Sequence, residues 1–156
     1  MPEPPRIGLG FDAHPAASER ELWLGGLRFE GAGLAGHSDG DPVCHALADA
    51  MLGAAGLGDV GEHFPESDPT IAGLSGTDLL ARTCELVAGT GLRLASCDVT
   101  IICLDPPIAP RRAEIRAHLA QVLDVEVDRV SVKATRPEGL GLAGDGAGCL
   151  AIALLT

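Results

Sequence analysis

Five polar residues, His37-Ser38-Asp39-Gly40-Asp41, run straight into a segment that is otherwise almost wholly apolar. From Asp41 to Ala55 the residues Val43, Leu47, Ala50, Met51 and Ala54 recur at three- and four-residue spacing, and Gly56 and Gly58 follow. That is the pattern of a helix with one apolar face and a glycine stop. Asp41, His45 and Asp49 recur every four residues through it, so they share one face as a polar stripe. Ser38 or Asp39 is placed to cap the helix.

Around this helix the periodicity divides the chain into short strands and medium helices. Arg6 to Phe11 reads as a strand, and Glu21–Leu24 with Leu27–Phe29 as a hairpin turning at Gly25-Gly26. Residues 59–76 form a polar loop long enough to point to function rather than connection. Thr77 is placed to cap a helix running to about Ala88, and Val99-Thr100-Ile101-Ile102 marks a buried strand within 92–104. Pro106, Pro107 and Pro110 precede a third helix to about Leu123. Val130–Ala134 reads as a strand, 135–148 as a glycine-rich loop, and Cys149–Leu155 as a last strand. Strands alternating with helices predict an α/β (α+β sandwich) fold, a mixed sheet with helices on one face, in a single domain over 1–156.

Composition narrows the partners. Eleven Lys+Arg against 22 Asp+Glu give a net charge of -11. Such a chain repels a nucleic-acid backbone and lacks the basic clusters that seek anionic membranes, so neither is expected as a partner. An anionic ligand has to be held locally, by metal ions, helix N-termini or backbone amides. Five cysteines, odd in number and without a C-x-x-C pair, read as reduced thiols in a core. The absence of a long apolar run and of a signal-peptide pattern at the first residues predicts a cytoplasmic protein.

Asp12-Ala13-His14 ends the first strand. Side chains at i and i+2 share a strand face, so a carboxylate and an imidazole converge there, both good zinc ligands. If His45 joins them as a third ligand, the result is a site with an open position, the arrangement of catalytic zinc; an Asp and a His four residues apart also suit a surface pair. His37 is then free for a substrate, and Asp49 is placed to orient His45. Residues 58–61 and 64–68 carry acids beside glycines, which suits turns or the recognition of hydroxyl groups. Residues 133–141 offer Lys133, Thr135, Arg136, Glu138 and free amides, a mixture suited to phosphates bridged by a divalent ion.

Taken in order, GFDAH, HSDGDPVCHALADAMLGAAGLGDVGEHFPESDP, DVTIICLDPP and VSVKATRPEGLGLAGDGAG resemble the 2-C-methyl-D-erythritol 2,4-cyclodiphosphate synthase family of the non-mevalonate isoprenoid pathway. The resemblance implies a homotrimer with active sites at subunit interfaces, and conversion of 4-diphosphocytidyl-2-C-methyl-D-erythritol 2-phosphate into the cyclic diphosphate and CMP. It implies that Asp12, His14 and His45 bind Zn2+ or another divalent transition metal, and that Glu138 binds Mg2+ or Mn2+. His37 and Arg136 fall at catalytic positions. Substrate binding is implied for Ser38, for Asp59, Gly61, Phe64, Glu66 and Asp68 around the methylerythritol, and for Cys103, Pro106 and Thr135 around the cytidine. Lys133, Leu142 and Asp145 complete that set.

The sequence also departs from the family pattern. Arg136 and Pro137 stand where threonines are usual, Pro107 where a lysine is common, and Glu66 where an aspartate is. Asp145-Gly146-Ala147-Gly148 replaces R-G-E-G. Arg136 is itself able to stabilise phosphate charge. The alternative that these changes leave open is a trimeric paralogue that binds nucleotide or diphosphate as a regulatory scaffold.

Overall fold

The computed structural model describes residues 3–141 and 144–156. Strand β1 (Arg6–His14) is followed by the short strands β2 (Ala16–Ala17), β3 (Leu22–Leu24), β4 (Leu27–Phe29) and β5 (Gly33–Leu34), then by helices α1 (Pro42–Ala55), α2 (Val60–His63) and α3 (Gly76–Ala88). Strand β6 (Leu94–Cys103), helix α4 (Arg112–Leu123), β7 (Val130–Thr135) and β8 (Ala147–Leu155) complete the chain. The main sheet has the order β1-β8-β6-β7, with β8 antiparallel to both neighbours and β6 parallel to β7 across the α4 crossover. It is the mixed sheet that the alternating pattern predicts. Helix α1 lies on β1 and β8, α4 on β7, and α3 on α1.

What brings α1 down onto β1 is the pair Gly8 and Gly10. A Cβ added at either would strike backbone of α1, at Ala50 and Ala46 respectively. Strand glycines of this kind mark close backbone approach, and the alanines of α1 meet them with the least possible side chain. The opposite face of β1 carries Ile7, Leu9 and Phe11, and β8 carries Leu150 and Ile152 directly beside Phe11 and Leu9 in register. All five are exposed, Ile7 by 71% and Leu9 by 67%.

Asp41 ties the β3–β4 turn to the start of α1. It caps α1, ahead of Pro42 at the first helical position, rather than lying on the helix face with His45. Its Oδ1 accepts from the amides of Gly25 (2.9 Å), Val43 (3.0 Å) and Cys44 (3.3 Å), and its Oδ2 from that of Gly26 (2.6 Å). Gly25 and Gly26, both at positive φ, form the predicted hairpin turn, and their amides point at the fully buried carboxylate. Neighbouring Asp39 accepts from the amide of Gly76 at 2.8 Å, which joins the same loop to the start of α3.

Several expected boundaries move. β1 continues to His14, β8 begins at Ala147, and Ser75, not Thr77, caps α3 by accepting from the Asp78 amide. The 59–76 loop contains α2 and a turn of 3-10 helix at Pro69–Ile71. Asp59 and Asp68, read as loop residues, cap these short helices.

Candidate active site

The end of β1 delivers Asp12 and His14 to one point, and α1 delivers His45. Along the strand Asp12 lies two residues beyond Gly10; along the helix His45 lies one residue before Ala46, where Gly10 makes its close approach. Backbone contact thus sets the separation of the three donors. Asp12 Oδ2 stands 2.7 Å from His14 Nε2 and 3.2 Å from His45 Nδ1, and the two nitrogens are 3.4 Å apart. All three donor atoms lie within 4.8 Å of one another. Ligand atoms around a tetrahedral zinc with bonds near 2.0–2.2 Å stand about 3.3–3.5 Å apart, so this set fits a divalent transition ion after a sub-ångström widening.

The electrostatics suit a cation. Burial works against a charge on Asp12, yet its contacts with His14 and His45 prevail and hold its carboxyl at about 2. Burial likewise opposes protonation of His45, and the Asp12 carboxylate overcomes it, leaving the imidazole above its ordinary range. Asp39, also largely buried, is pushed up by desolvation.

Asp49 does not orient His45. Its carboxylate accepts from the Val60 amide at 3.0 Å and so anchors α2. Ser38 takes that place instead, with its Oγ 3.0 Å from His45 Nε2. A cavity of about 320 Å3 opens beside the three donors, lined also by His37, Ser38, Gly61, Phe64, Glu66 and Asp68. His37 and Glu66 meet at its mouth, 3.1 Å apart. Asp68 points one oxygen at Thr70, whose amide and hydroxyl hold the carboxyl below its usual range.

The remaining predicted site residues stand elsewhere. Arg136 and Glu138 line a second cavity with Leu104, Pro137 and glycines 139, 141 and 144. Cys103, Pro106, Thr135 and Arg136 line a third, together with Arg112. No residue of the first cavity lines either of these. Lys133 lies on the sheet, where its Nζ donates to Asp98 Oδ2 at 2.6 Å, and it lines none of the three. Asp59 faces the Glu62 amide rather than the cavity. Asp145 is exposed, and Leu142 lies outside the described residues.

The family model of the YgbB family matches residues 5–156. The chain belongs to the YgbB family. Over 158 residues it is 46% identical to the 2-C-methyl-D-erythritol 2,4-cyclodiphosphate synthase of Porphyromonas gingivalis, covering 99% of this chain and 98% of that one. It is 50% identical over 151 residues to the bifunctional enzyme IspD/IspF of an Anaeromyxobacter strain, covering 97% of this chain. The chain spans only 39% of that longer relative. A solved structure of 2C-methyl-D-erythritol-2,4-cyclodiphosphate synthase in a CDP-bound form superposes with a TM-score of 0.90 at 34% identity, covering 97% of this chain and 100% of that one. Among the described residues, no helix is long and apolar enough to cross a membrane.

Proposed function

We propose that the chain cyclises 4-diphosphocytidyl-2-C-methyl-D-erythritol 2-phosphate to 2-C-methyl-D-erythritol 2,4-cyclodiphosphate and releases CMP. The observation that carries this reading is the Asp12, His14 and His45 donor set opening into the same cavity as His37. The match along nearly the whole length of a named synthase supports it. An oxygen of the 2-phosphate attacks the β-phosphorus in line, and the bond from that phosphorus to the CMP oxygen breaks. Asp12, His14 and His45 would hold a divalent ion, which would supply positive charge to offset the repulsion between two phosphates. His37 donates to the phosphate at the cavity mouth, and Ser38 holds His45 while contacting the substrate. The 64–68 loop, with Gly61, accepts from the methylerythritol hydroxyls.

The nucleotide half falls to the other two cavities. Cys103, Pro106 and Thr135 bound the cytidine, Arg136 faces its phosphates, and Glu138 would hold Mg2+ or Mn2+ there to neutralise phosphate charge. Because these cavities share no lining with the first, the reading places them on a neighbouring copy in a homotrimer. The apolar ladder of Ile7, Leu9, Phe11, Leu150 and Ile152 is a surface suited to such packing. A CDP-bound form among the solved relatives supports nucleotide binding. The donor set opening beside His37 and the 64–68 loop supports turnover over a scaffold.

The test is an assay of the purified chain with the diphosphocytidyl substrate, Zn2+ and Mg2+, with CMP quantified by chromatography and the cyclic product by mass spectrometry. The expected result is CMP release that His45→Ala abolishes. CMP no higher than in a no-enzyme control overturns the reading, and a linear product reassigns it to phosphate hydrolysis.

A further inference from the structure

We infer that Arg20 is a positioning residue that sets the 36–38 loop from behind; the inference rests on the synthase reading for its kinetic part. Arg20 lines no part of the first cavity and makes no ion pair among the described residues. Its guanidinium instead donates through Nη1 to the carbonyl oxygen of Gly36 and through Nη2 to that of Ser38. The carbonyl between them, on His37, accepts from the Gly73 amide at 3.3 Å. All three successive carbonyls are therefore held on the outer side, which leaves the side chains of His37 and Ser38 directed to the cavity.

Arg20 is itself held firmly. Its own carbonyl accepts from the Gly33 amide at 3.0 Å, and its amide donates to the Ala17 carbonyl at 3.1 Å. A Cβ at position 33 would collide with the backbone of Arg20 and Glu21, so glycine is needed there. The planar guanidinium fork spans two acceptors separated by one residue, a geometry that a lysine ammonium does not reproduce. The route to the metal donors is short: Arg20 holds the Ser38 backbone, Ser38 Oγ meets His45 Nε2, and His45 Nδ1 is the donor. Groups that orient metal ligands in this way are commonly worth tenfold to a hundredfold in activity or metal affinity.

Arg20→Ala is expected to lower kcat for CMP release by about tenfold to a hundredfold, with KM changed by less than about threefold. Arg20→Lys is expected to stay well below the parent as well, because the ammonium keeps the charge and loses the fork. Methylguanidine should restore a measurable part of the Arg20→Ala rate through the shallow outer depression that Arg20, Trp23 and Gly73 line, and equimolar methylammonium should not. Histidine-ring 1H–15N spectra give a readout independent of turnover: the His37 and His45 signals should move in both variants, and the His118 signal should stay. If the parent itself releases no CMP, the synthase reading fails and the ring spectra alone decide on Arg20. A kcat within twofold of the parent, unmoved His37 and His45 rings, or an equal disturbance of all five histidines overturns the inference.

Discussion

His37 Nε2 and Glu66 Oε2 stand 3.1 Å apart and join two loops across the mouth of the cavity that holds the metal donors. Both side chains are mostly exposed, so solvent screens the pair. Glu66→Gln is therefore expected to leave the melting temperature unchanged and to shift KM for the diphosphocytidyl substrate by less than about fivefold. Steady-state kinetics check this. A larger loss in kcat would give Glu66 a direct part in the chemistry.

Metal should stabilise the fold through the triad. With Zn2+ or Co2+ at about a hundred times its dissociation constant, binding adds about 2.7 kcal/mol, which corresponds to a rise of about 5–10 °C in Tm for a chain of this size. A chelator should reverse the rise, and Asp12→Asn should abolish it. Differential scanning fluorimetry with and without metal reads all three, and an equal rise in Asp12→Asn would place the ion elsewhere.

Gly10→Ala should be among the most damaging small substitutions. The added methyl meets the backbone of α1 at Ala46, which has no rotamer with which to move aside. A cost of about 1–3 kcal/mol or more follows, with metal affinity falling alongside stability because the displaced helix carries His45. Urea unfolding and metal titration of the same variant test whether the two losses come together.

Asp41→Ala removes the acceptor for four backbone amides in a fully buried setting. Leaving several of those donors unpaired should cost about 3 kcal/mol or more. Asp49→Ala, which frees only the Val60 amide, should cost less. Chemical denaturation of the two variants side by side checks the order, and equal costs would contradict the account of Asp41 as a junction.

The thiols should be slow to react. Burial pushes Cys97 up to about 12 and Cys84 and Cys103 to about 11, and it raises Cys44 and Cys149 as well. A raised thiol pKa means that thiolate appears only as pH climbs toward the raised value. Iodoacetamide labelling of the native protein should therefore be slow near neutral pH and still accelerating above about pH 10, where an ordinary thiol has levelled off. Mass spectrometry of timed samples measures it, and rapid labelling of Cys97 near pH 7 would contradict the burial.

The sequence was most legible where side-chain chemistry and period coincide. The i, i+2 spacing of Asp12 and His14 on a strand and the capped, apolar period of α1 offered the pair and a polar residue at His45, because both depend on local geometry; that His45 joins the pair was implied by the family resemblance. The fold class followed from the same periods. What stayed hidden was the direction of carboxylates near helix starts: Asp41 and Asp49 share a helical stripe with His45 on paper, but unpaired amides at Gly25, Gly26 and Val60 draw both away. Arg20 left no signal, since its partners are main-chain carbonyls 16 and 18 residues away, and carbonyls have no sequence signature. Lys133 was read as suited to phosphate by its neighbours in sequence; the β6–β7 pairing sets it opposite Thr100, from where its Nζ reaches Asp98, a contact that sequence does not show.

The seam between β1 and α1 has a consequence for how this chain tolerates change. An interface of interlocking side chains adjusts to mutation by re-sorting their conformers; one formed by strand glycines against helix backbone has no such freedom. The gap between Asp12 and His45 is accordingly a fixed gauge rather than a tunable distance. Substitution can carry the outer surface as far as a net charge of -11 without altering the bite of the chelate, while one methyl group placed at the seam reaches it at once.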